Sequence, residues 1–125
     1  MSIVHDNIIN SYRIDFTTET MVITTQYDDG KSHEKTDVLF NGYLAHIFYN
    51  VMKGSVLNDI EEYPLSHFLE DEREILMERK QYGWPTFYET ESDFLQYLNE
   101  NDYRAFLVTS SIGLYGWIVA KSMSI

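Results

Sequence analysis

Alternation of polar and apolar residues with a period of two dominates both ends of this chain, and it restricts the folds open to it. In "SYRIDFTT", Tyr12, Ile14 and Phe16 alternate with Arg13, Asp15 and Thr17. Successive side chains of a strand point to opposite faces, so this is the pattern of a strand with one buried face. "TMVITTQY" follows after Thr18-Glu19, rich in β-branched residues, and ends at Asp28-Asp29-Gly30, where glycine accepts the positive φ of a tight turn. "EKTDVLF" then resumes the strand composition, so the first 40 residues read as a three-stranded meander. At the other end, "YRAFLVTSS" and "LYGWIVAKSM" joined around Ile112-Gly113 predict a closing hairpin, apolar enough for central strands.

The stretch between them reads differently. In "NGYLAHIFYNVMKG", Leu44, Ile47, Phe48, Val51 and Met52 stand at helical spacing with Gly54 as a stop, while Leu44, His46 and Phe48 also alternate as in a strand. We adopt the helix for residues 43–53. "SVLNDIEE" predicts a short strand, and Pro64 suits the first turn of a helix. From Leu65, Phe68, Leu69, Ile75 and Leu76 line one helical face as far as Gly83. Glu70, Asp71, Glu72 and Glu74 fall early in that helix and Arg79 and Lys80 late, as the helix dipole favours. In "TESDFLQYLNEN", Thr90 and Asp93 have capping-box spacing ahead of Phe94, Leu95 and Leu98. At 125 residues the chain suits one domain. The expected fold class is α+β: a mostly antiparallel sheet of about five to six strands with two or three helices packed on one face.

Charge separates the function classes. Residues 56–103 hold thirteen acids against Arg73, Arg79 and Lys80, a net charge of −10 within a total of −11. The remaining segments carry −3 over residues 1–55 and +2 over residues 104–125. Such a potential repels nucleic acid and anionic lipid and speeds encounter with a basic protein. No segment has the apolar length of a membrane span, "MSIVHDNIIN" lacks the n-region and apolar stretch of a signal peptide, and cysteine is absent. A cytoplasmic location is expected.

No motif dictates a chemistry. Asp59, Glu61 and Glu62 in "LNDIEEYPL" lack the glycine and ligand repeat of a calcium loop, and a strand would divide them between two faces. They read as a solvated edge or as a surface for a partner. His5, His33, His46 and His67 have no metal-binding spacing, and "SSIGLYGW" lacks the P-loop lysine and the serine elbow. Catalytic residues, metal and cofactor are therefore all expected to be absent. In "QYGWPTFY", Tyr82, Trp84, Phe87 and Tyr88 cluster beside Gly83 and Pro85 in a connection that should reach the surface, and Trp and Tyr dominate binding hot spots.

In size, acidity and lack of motifs, with "NDIEEYPLSHFLEDEREILMERKQYGWPTFYETESDFLQYL" and "SSIGLYGWIVAKSM" as its main body, the chain resembles small acidic α+β bacterial proteins. Among these it resembles the immunity proteins of polymorphic-toxin and contact-dependent-inhibition systems. The resemblance implies a stoichiometric inhibitor that occludes a basic, nuclease-like toxin, and it transfers no functional residue. The surface expected to bind such a basic partner comprises Asp59, Glu61, Glu62, Tyr63, Glu70, Asp71, Tyr82 and Trp84. Two other expectations stand beside it. One is a ligand-binding protein or enzyme that uses His46 or His67 with a carboxylate, in a pocket between helices and sheet. The other is a structural subunit that dimerises through the aromatic loop.

Overall fold

The computed structural model describes residues 3–30 and 33–125. Its elements, in chain order, are β1 (Ile8–Asp15), β2 (Thr20–Asp28), β3 (His33–Asn41), β4 (Ala45–Tyr49), β5 (Val56–Tyr63), α1 (Leu65–Asp71), α2 (Arg73–Lys80), α3 (Glu91–Glu100), β6 (Arg104–Ile112), β7 (Tyr115–Ala120) and β8 (Ser122–Ser124). The alternating segments become strands as expected: β1, β2 and β3 form the meander and β6 and β7 the closing hairpin. No helix is long and apolar enough to cross a membrane among the described residues.

The fold is α+β with an antiparallel sheet and three helices, but the sheet has eight strands, in the order β4-β7-β6-β5-β1-β2-β3-β8, rather than five or six. One addition is β4, which replaces the helix expected over residues 43–53. Ile47 faces the helices and Phe48 the interior of the sheet. A strand buried on both faces is apolar at nearly every position, so helical spacing is met by coincidence. The other is β8, three residues that continue β7 past Lys121.

These two additions close the sheet. β3 runs on into β4, β7 runs on into β8, and the two bent segments pair antiparallel from Leu39↔Ser124 through Asn41↔Ser122 to Ala45↔Val119 and Tyr49↔Tyr115. The two ends of the strand order are thus one continuous ladder. At its bend Gly42 adopts φ 66°, and a Cβ there would meet the Lys121 side chain at 2.5 Å. The opposite seam is short: β1 meets β5 at Ile8↔Val56, with Ile9 N–H donating to Ser55 O at 2.9 Å and Leu57 N–H to Asn7 O at 2.8 Å. A bulge between Ile9 and Ser11 follows.

Closure gives the sheet an inside and an outside, and each has its own core. Met21, Ile23, Val38, Phe40, Phe106 and Ile118 fill the inside. Phe68, Leu69, Leu76, Phe94 and Leu98 of the helices pack on Ala105, Trp117 and Val119 outside. β7 serves both, with Trp117 and Val119 outward and Ile118 and Ala120 inward, which is why it is apolar throughout. The single helix expected from Leu65 is two: α1 ends and α2 begins at Glu72, where φ −105° and ψ 13° change the axis direction. Pro64 stands just before α1 rather than in its first turn. α3 has the expected capping box, Asp93 N–H donating to Thr90 Oγ1 at 3.1 Å and Thr90 N–H to Asp93 Oδ2 at 3.3 Å.

Candidate partner-binding face

Trp117 projects from β7 into the layer beneath α1 and α2 and is 1% exposed. It anchors a row of rings. Phe68 meets it edge-on at 4.8 Å between centroids, Tyr63 follows Phe68 at 6.1 Å, and Trp84 lies 5.8 Å from Trp117 on the other side. The row carries a different group at each end. Tyr63 donates its hydroxyl to Asp71, and the Arg79 guanidinium stands 5.0 Å from the Trp84 ring centroid. Two of the expected binding residues, Tyr63 and Trp84, are thereby joined through buried rings, and neither is free to act as a mobile contact.

The residues that do reach solvent lie around Trp84. Tyr82 is 77% and Phe87 is 89% exposed, and Met77 on α2 is exposed as well. Phe87 lies over Gly83, whose missing Cβ leaves room for the ring; a Cβ would come within 2.5 Å of it. Next to these, a cleft of about 250 Å³ between α2 and α3 is lined by Leu69, Leu76, Met77, Tyr88 and Phe94. Its rim is fixed by Arg73, which grips Glu91 through two bonds of 3.0 and 3.1 Å, and by Tyr88, stacked on Phe94 at 4.5 Å. That grip holds the Glu91 carboxyl below its usual range and pushes the Arg73 guanidinium up.

The expected carboxylates divide between two places. Asp71 and Glu70 are exposed at the end of α1, and Glu61 is exposed on the strand face it shares with Tyr63. Glu62 turns the other way, to a polar cleft of about 430 Å³ that it shares with Arg104, Asp102 and Lys121, and its carboxylate pairs with Arg104 at 3.1 Å. Asp59 is half-buried and accepts from the backbone N–H of Ile60 at 2.8 Å. Among the described residues no group of three or more His, Asp or Glu side chains could hold a metal ion.

Sequence reasoning left Glu72, Met77 and Phe87 out of the site. Glu72, at the break between the helices, is half-buried, and burial raises its carboxyl above the usual range. The nearby Trp117 indole N–H pulls it part of the way back, although that buried N–H completes no hydrogen bond. The Glu72 charge also helps to raise the Tyr49 and Tyr63 phenols, after burial in both cases and the Asp71 bond in Tyr63. The only earlier signal for Phe87 was its place in the aromatic run; nothing in that run says which ring faces out.

The histidines lie elsewhere. His46 is on the inner side of β4, its Nδ1 2.7 Å from the Tyr43 hydroxyl and its ring 4.7 Å from Phe48, and burial lowers its pKa. His67 is exposed on α1, and neither borders the clefts described above. No family model matches the chain, and no curated protein or solved structure shows a significant match to it.

Proposed function

We propose that this chain is a protein-binding module, an immunity-type inhibitor whose acidic, aromatic-tipped face blocks a basic, nuclease-like toxin. One observation carries the reading: the acid surplus is not neutralised within the protein. Of the thirteen acids in residues 56–103, only Glu62 and Glu91 form an ion pair, with Arg104 at 3.1 Å and Arg73 at 3.0 Å. Glu61, Glu70 and Asp71 are left facing solvent. Exposed rings held by a rigid base supply contact area at low entropic cost, and surrounding carboxylates steer a cationic partner and fill its phosphate-binding positions.

The test is capture from lysate of the source cell by the tagged chain at low and high salt, beside a Tyr82→Ala/Phe87→Ala variant. Support requires one basic protein, retained more weakly at high salt, lost with the variant, and inhibited at one-to-one stoichiometry. Equal retention by the variant, or full activity of the captured protein in the complex, would reject the reading.

A further inference from the structure

β1 leaves an edge open. Past Ile9 it has β2 on one side, and among the described residues no backbone group pairs with Asn10–Asp15 on the other. An unpaired row of N–H and C=O groups is a template for another strand. The segment has no proline, its bulge is confined to Asn10 at one end, and its two charges, Arg13 and Asp15, are of opposite sign.

We propose that β1 pairs antiparallel with β1 of a second copy of this chain, forming a two-fold homodimer centred on Ile14. The stretch Tyr12-Arg13-Ile14-Asp15-Phe16 is self-complementary in that register. Arg13 falls opposite Asp15 of the second copy and Asp15 opposite its Arg13, while Phe16, the first residue of the turn after β1, comes beside the end of the second copy's ladder. Arg13, Asp15 and Phe16 have spare capacity, whereas the Tyr12 ring is already packed edge-on against Phe48. Arg13 is exposed and makes no ion pair among the described residues. Asp15 uses Oδ1 for the Thr17 and Thr18 amides, at 2.9 and 3.2 Å, which leaves Oδ2. Phe16 is 77% exposed, with one ring neighbour, Tyr43, at 6.2 Å.

Charge selects a second copy for this edge. Two chains of net charge −11 repel across most of their surfaces. Residues 7–14 and 49–58, which flank the seam, contain no carboxylate and carry Arg13 and Lys53. Here identical chains meet without apposing acids. The inference is independent of the basic-partner reading, which uses the helical face.

Sedimentation velocity over a wide concentration range tests the proposal, with the wild-type chain, Arg13→Asp, and the swap Arg13→Asp/Asp15→Arg, each checked for folding by its thermal melt. The wild type should self-associate. Arg13→Asp should raise the dimer dissociation constant about tenfold or more, because two cross-strand pairs turn from attractive to repulsive. The swap should restore it. Should Asp15→Arg disturb the turn, amide hydrogen exchange on the wild type gives the answer without a variant, since protection of residues 12–16 should rise with concentration. A monomer at every concentration, a dimer indifferent to Arg13→Asp, or protection rising only at another surface would each overturn the proposal.

Discussion

Tyr63, the last residue of β5, donates its hydroxyl proton to the carboxylate of Asp71, at the end of α1. The bond ties the helix to the strand that leads into it. Tyr63→Phe keeps the ring on Phe68 and removes the bond, which should cost about 1 kcal/mol in chemical denaturation, since the acceptor is charged but exposed. An unchanged midpoint would mean that the bond is exchanged freely for water.

Five phenols, Tyr43, Tyr49, Tyr63, Tyr88 and Tyr103, are held above their ordinary range, and three of them are raised most. Burial pushes Tyr43 up to about 12, Tyr103 is raised to about 12 by burial and then by Tyr97, and Tyr63 is raised by burial and the Asp71 bond. A folded-state pKa above the unfolded value, near 10, favours the protonated form in the folded chain. That stability is fully present below about pH 10 and is lost as pH rises from there through the folded values. Denaturation midpoints should therefore be flat in these groups up to about pH 10 and fall beyond it, in step with tyrosinate absorbance. A fall that begins well below pH 10 would implicate other groups.

Glu72 works in the same direction at the acidic end. Burial raises its carboxyl above 4.5, so the stability it contributes is present below the unfolded value and is lost as pH rises through the folded one. The ionised form is thus a cost at neutral pH. Glu72→Gln should stabilise the chain at pH 7 by about 0.5 kcal/mol, discounted for partial exposure, and should leave it unchanged below the carboxyl's range. Destabilisation at pH 7 would mean that the Trp117 N–H relies on the charge.

Trp84 and its neighbours in the loop should separate cleanly. Trp84→Ala removes a ring held between Trp117 and Arg79, and should cost about 2 to 3 kcal/mol, below the range for a fully buried ring. Tyr82→Ala and Phe87→Ala remove exposed rings and should each shift stability by less than about 0.5 kcal/mol. Comparable losses from all three would make the loop a structural plug.

Local signals made part of this legible in the sequence. The meander, the closing hairpin and the cap of α3 each follow from residues within a few positions of one another, such as Gly30, Gly113 and the Thr90–Asp93 pair. β4 and β8 do not. Their identity depends on each other's ladder, which joins residues as far apart as Leu39 and Ser124. The break at Glu72 was equally hidden, because Phe68, Leu69, Ile75 and Leu76 suit a straight helix. Of the candidate site, the residue types were readable and the orientations were not. Tyr82 and Trp84 look equivalent in the run, yet one faces solvent and the other lies on a buried ring.

The closing ladder also sets where glycine is indispensable. Gly116 has φ 153° and stands opposite Phe48, and a Cβ there would lie 1.9 Å from the carbonyl oxygen of Ile47. β7 cannot retreat, because it has core on both faces and pairs with β6 on its other edge. Gly54 isolates the backbone effect: its φ is 85°, with nothing within 4 Å of an added Cβ. Gly54→Ala should therefore cost about 1 kcal/mol for the left-handed conformation alone. Gly116→Ala adds a clash in a packed ladder and should cost about 3 kcal/mol or more. Urea denaturation of the two variants checks the difference. Equal losses would show that β4 can move away from β7, and the closed sheet would then be far softer than its register implies.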